Sequence, residues 1–183
     1  MSARKPSAAE MTALLAFHAT VSGAFIVAYL TGDEDSYGMH VFAGYAALAA
    51  ILLRVAAGLL APAGSPLRLP RPSAGAVAAW LRRLLAGDAQ ARTERSPLTA
   101  WMAAALLAGV GLAAASGAAA DFFVTVEHLH KEIGEAALPL ILAHIALVFA
   151  LHGLKRLLPG LSSRWHARRH PPSNRALPNR AIP

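Results

Sequence analysis

"MHVFAGYAALAAILLRVAAGL", residues 39–59, is an almost unbroken apolar run with His40 at one end and Arg54 toward the other. A helix needs about 20 residues, at about 1.5 Å each, to cross about 30 Å of hydrocarbon. This stretch has that length. An ionisable side chain inside such a span is costly and is a functional hypothesis by default. What satisfies His40 is therefore the question that decides how the chain is read.

The rest of the chain resembles this stretch. Of 183 residues, 56% are hydrophobic, more than an ordinary soluble domain carries. Apolar runs at about 12–31, 39–61, 98–120 and 133–158 are each long enough to span a bilayer. The expectation is an all-α integral membrane four-helix bundle over residues 1–161, followed by a basic, disordered tail over 162–183. Ala, Gly and Ser are abundant in the runs, which suits close helix approach in lipid. Pro139 is expected to kink the fourth helix or break its hydrogen-bond ladder. The stretch "AGAVAAWLRRLLAG" (74–87) reads either as an interfacial amphipathic helix anchored by Trp80 or as a solvated loop. The chain has no cysteine, which excludes disulfides, thiolate catalysis and Cys-ligated zinc or iron–sulfur centres. The first apolar run is too long for a secretory signal peptide, and none is expected.

Charge sets the expected orientation. Of the 17 lysines and arginines, only Arg54 and Lys131 lie outside the N-terminal segment, the 62–97 connection and the tail after Leu154. The connections at 32–38 and 121–132 are acidic instead. The positive-inside rule then puts both termini in the cytoplasm and the acidic connections in the periplasm of a bacterial inner membrane. The basic tail meets anionic lipid, and nucleic acid is not an expected partner.

Six histidines lie outside the tail: His18, His40, His128, His130, His144 and His152. His130 and His144 are fourteen residues apart, close to four turns, so they share a face about 21 Å apart along the axis. With the alternating helix directions, His40 matches His130 in depth and His18 matches His144. Two imidazoles facing each other across a bundle core are what a six-coordinate haem b requires. Gly44 and Gly134 stand at i+4 from His40 and His130, and Ser22 at i+4 from His18. Residues at this spacing share a face, so a small side chain leaves room for a flat macrocycle, or else serves helix packing. His128 points away from His130, and His152 either snorkels or lines a quinone pocket. Arg54, at the depth of His18 and His144, either meets a propionate or snorkels to the interface. Thr20, Ser22 and Thr31 are candidate partners for the second imidazole nitrogens.

Three stretches, "AFHATVSGAFIVAYLTG" (16–32), "MHVFAGYAALAAILLRVAAGL" (39–59) and "LHKEIGEAALPLILAHIAL" (129–147), resemble the bacterial cytochrome b561 family. That family is related to the cytochrome b subunits of nickel hydrogenases and formate dehydrogenases. The resemblance covers about residues 12–157. It implies four transmembrane helices, two b haems ligated by the pairs His18/His144 and His40/His130, and quinone as one electron-transfer partner. The sequence departs from the family around His18, where Phe17 and Ala19 replace the usual arginine and tryptophan, and after Arg54, where "VAAGL" stands for a Trp-Gly pair.

The functional expectation is a membrane di-haem cytochrome that moves electrons between the quinone pool and a periplasmic redox protein. Asp33, Glu34, Asp35, Asp121 and Glu127 form an acidic face that suits a cationic partner such as a basic c-type cytochrome. A homodimer is a further open assembly. One alternative is superoxide:quinone oxidoreductase, which the acidic connections disfavour. The other is a haem-free metal transporter using the same histidines.

Overall fold

The computed structural model describes the backbone of residues 6–169 and the side chains of residues 6–153. Six α-helices follow one another: α1 (Ala8–Leu30), α2 (Tyr37–Leu60), α3 (Ala74–Leu85), α4 (Ala89–Thr93), α5 (Leu98–Ala120) and α6 (Glu127–Arg169). Among the described residues there is no strand. Four of the helical segments are long and apolar enough to cross a membrane, so the chain has the architecture of a multi-pass membrane protein.

Local chemistry sets the helix ends. At the start of α1, Ser7 and Glu10 form a reciprocal capping box. The Ser7 hydroxyl accepts from the Glu10 amide, and the Glu10 carboxylate accepts from the Ser7 amide, which satisfies two otherwise orphaned donors. Between α1 and α2, Asp33 accepts from the Ser36 amide and hydroxyl, closing a short 3₁₀ turn over Glu34–Ser36. The same bonds hold the Asp33 carboxyl below its ordinary pKa.

The packing forms a curled row. Helix α1 packs on α2, α2 on α5, and α5 on α6, whereas α6 approaches α1 and α2 only marginally. Small residues explain the tight seams. A side chain at Gly109 would strike Leu140, and one at Gly111 would touch Ile51. These glycines let α5 lie close to α6 and α2. The sealed centre consists of Ala43, Ala47 and Ile51 on α2, Val110 and Ala113 on α5, and Ala137 on α6. Large side chains point outward instead, among them Phe42, Leu60 and Phe149. So much exposed apolar surface is a liability in water and an advantage against lipid.

Three local expectations are revised. Helix α6 begins at Glu127, before the expected residue 133, and runs on through Pro139, which is expected to kink it or break its ladder and not to end it. In a long helix, the carbonyl it frees costs one bond while the rest of the ladder holds. The helix also continues over 162–169, where a disordered tail is expected. Residues 170–183 and the side chains of the basic tail lie outside the described residues. Third, residues 74–85 are helical, but Trp80 is no interfacial anchor: it is 6% exposed. Gly87, at φ +82°, makes the left-handed turn that glycine permits. That turn folds α4 back over α3, and the indole N–H donates to the Ala91 carbonyl at 2.9 Å. Arg83 pairs with Glu94 across the same fold. Trp80→Phe leaves the Ala91 oxygen buried without a donor and should cost about 1–2 kcal/mol, seen as a lower melting temperature of the detergent-solubilised protein.

Candidate cofactor-binding site

The site is built on the helix pairs that do not pack. His18 on α1 faces His144 on α6, with ring centroids 6.3 Å apart and planes at 71°. His40 on α2 faces His130 on α6, at 5.9 Å and 67°. The backbones of these helices are otherwise held apart, so the imidazoles are what spans the gap. Both pairs anticipated from depth and spacing are brought together.

The separations have a chemical meaning. A metal–imidazole nitrogen bond is about 2 Å, and the ring centre lies about 1 Å further out, so two imidazoles on opposite sides of one metal have centroids about 6 Å apart. A direct imidazole–imidazole hydrogen bond would bring the rings closer. Neither pair is stacked face to face.

The His40/His130 pair is oriented from behind. The Nδ1 of His40 lies 2.7 Å from the carbonyl oxygen of Ala28 on α1. A carbonyl can only accept, so this nitrogen carries the proton. On the partner ring, Nδ1 of His130 lies 3.1 Å from the hydroxyl of Ser116 on α5. That hydroxyl donates its one proton to the Ala113 carbonyl at 2.9 Å, so it accepts from His130 Nδ1. Both rings therefore hold their proton on Nδ1 and leave the Nε2 lone pair free. Two bare lone pairs at one site lack a shared proton, and a cation that accepts both supplies what is missing. Tyr37 stacks on His40 at 6.1 Å, and the Tyr45 hydroxyl donates to Asp121 at 2.9 Å, tying α2 to the end of α5.

At the other pair, Nδ1 of His144 is buried without a hydrogen-bond partner, while His18 is exposed. An orphaned polar atom next to an exposed imidazole marks a place where an additional group fits.

The glycines separate into two classes. A side chain at Gly44 or Gly134 would meet nothing within 4 Å, so these residues do not serve helix packing. They leave open space one turn from His40 and His130. Gly117 is different: its Cβ would come 2.9 Å from the His130 ring. It lets α5 press against that imidazole.

Other candidates find other partners. Thr31, expected as an imidazole partner, bonds the Val27 carbonyl of its own helix at 2.6 Å. Arg54 donates to the Leu67 carbonyl at 2.5 Å and the Arg68 carbonyl at 3.4 Å, and lies over the Phe17 ring at 6.0 Å. It is thus fixed against the connection after α2, with guanidinium donors to spare. His128 is exposed and pairs with Glu132 at 3.1 Å, and His152 is exposed. Ser116, Gly117 and the Ala28 carbonyl carry no signal in the sequence. The first two lie on a helix without histidine, and the third is backbone. No family model, curated protein or solved structure matches the chain.

The open space at Gly44 and Gly134 can be tested by filling it. In cofactor-free protein, Gly44→Ala and Gly134→Ala should be neutral or raise the melting temperature, because alanine favours helix by about 1 kcal/mol. Gly117→Ala should lower it, by about 1–3 kcal/mol of overpacking.

Proposed function

We propose that the chain is a di-haem b-type cytochrome of the bacterial inner membrane, passing electrons between quinone and a periplasmic redox protein. The observation that carries this reading is the facing of His18 with His144 and of His40 with His130 at separations that suit one metal each. The resemblance of three stretches to the cytochrome b561 family supports it, as does the open space beside Gly44 and Gly134. Both termini are cytoplasmic in this reading, because the basic residues gather at that end.

In this reading His18, His40, His130 and His144 are the iron ligands. Haem b held by these imidazoles would supply reversible one-electron transfer. The chain's own residues hold and tune it. The Ala28 carbonyl and the Ser116 hydroxyl keep His40 and His130 in the tautomer that presents Nε2. They also make those rings better electron donors. Gly44 and Gly134 leave room beside the ligands. Arg54 places a fixed positive charge near the His18/His144 level, where a propionate is a suitable partner. The acidic residues Asp33, Glu34, Asp35, Asp121 and Glu127 at the other end suit a cationic protein partner. They disfavour superoxide, so the superoxide:quinone oxidoreductase reading ranks second.

Protein purified from haem-sufficient cells should show a reduced b-type α band and two haems per chain. His40→Ala and His144→Ala should each retain one. A colourless, correctly inserted preparation would sink the proposal. Ser116→Ala should keep both haems but raise one of the two midpoint potentials in a redox titration, because His130 becomes a weaker donor. Gly134→Ala should lower haem content without lowering the stability of the cofactor-free protein.

A further inference from the structure

Outside the histidine pairs, a partly open cavity lies at the end of the bundle that carries the N-terminus of α1. It has a volume of about 160 Å³ and is lined by Gly58, Leu59, Arg68, Leu69 and Arg71. One wall is the last turn of α2. The other is the strap "SPLRLPRP", residues 65–72, in which three prolines limit the backbone's freedom.

The strap is fastened where it passes α2. Arg54 grips the carbonyls of Leu67 and Arg68. Ser65 is buried, donates to Glu10 of the α1 capping box at 2.6 Å, and accepts from the Leu67 amide at 3.1 Å. Gly58 permits this closeness, since a Cβ there would fall 2.7 Å from Leu69 and 2.9 Å from the Arg54 guanidinium. Arg68 and Arg71 are thus presented by a pre-ordered segment. Neither has an ion-pair partner among the described residues. The Leu69 and Arg71 amides also lack a protein acceptor among those residues. Leu59, which lines the cavity, and Leu52, two turns earlier on the same face of α2, are 68% and 60% exposed.

We propose that this cavity is a specific site for an anionic phospholipid. The headgroup phosphate sits between Arg68 and Arg71, and the acyl chains run down the leucines on the outer face of α2. Charge complementarity names the headgroup: two unpaired guanidiniums suit a phosphate, and basic pockets at the membrane surface are places where anionic headgroups bind. The exposed Leu59 and Leu52 on one face of α2 distinguish a lipid from a free phosphate, which has nothing to place there. The inference does not depend on haem. It concerns the bundle end opposite the His40/His130 pair, and its test reads lipid, not colour.

The test reconstitutes the full chain with an equal mixture of phosphatidylglycerol and phosphatidylcholine, extracts it in mild detergent and measures retained lipid by native mass spectrometry. Wild-type protein should hold phosphatidylglycerol in preference to phosphatidylcholine. Replacing both Arg68 and Arg71 by alanine should reduce that retention by about tenfold or more. Arg82→Ala, an exposed arginine on α3, should leave it unchanged and controls for general loss of charge. Millimolar inorganic phosphate should not displace the lipid. Equal retention of both lipids, unaltered retention in the double variant, or displacement by phosphate alone would each overturn the proposal.

Discussion

The structure depends on how an imidazole is tolerated away from water. A lone histidine in hydrocarbon has two ring nitrogens to satisfy and no solvent to do it. Here four such rings are set in two facing couples across a gap that, among the described residues, little other packing closes. The seams α1–α2, α2–α5 and α5–α6 are filled by alanine, glycine and leucine, as lipid-embedded helices generally are. The remaining side of the bundle is not. There Gly44 and Gly134, beside the histidines, would meet nothing within 4 Å if given a side chain, and the imidazoles face each other across the gap.

This makes α5 more important than its composition suggests. It has no histidine and no charged residue between Leu98 and Ala120, yet among the described residues it makes the main packed seam with α6. Ser116 aims one ligand candidate, Gly117 sets how close it lies, and Gly109 and Gly111 fix the neighbouring seams. The Tyr45–Asp121 bond locks the end of α5 to α2 at the same level. The helix works as a spacer that holds α6 at the distance where the imidazoles face each other without touching.

Much of this was legible in the sequence. Span lengths follow from apolar runs, and the four-helix architecture follows from them. The pairing of His18 with His144 and His40 with His130 follows from helix direction and a rise of about 1.5 Å per residue, two quantities that hydropathy and spacing encode. What surrounds the histidines was not legible, because it depends on rotation about the helix axes and on backbone atoms. Nothing distinguishes Ala28 from other alanines until its carbonyl meets His40. Nothing marks Gly117 as a contact glycine and Gly134 as a space-leaving one until α5 and α6 are docked. Thr31 had the right chemistry but turned back on its own helix. Trp80 had the right composition for an interface anchor, and a single left-handed glycine turn buried it instead. The proposed orientation across the membrane rests on charge asymmetry, and the proposed haem rests on the histidine pairs together with the resemblance.

On the side where α6 meets α1 and α2, the facing histidines stand where the other helix pairs have a packed seam. A flat, apolar cofactor of the proposed kind would reach the imidazoles from this side of the row without disturbing the α1–α2, α2–α5 or α5–α6 seams. A haem held there as proposed would join the two ends of the row, α1–α2 and α6, into a closed ring.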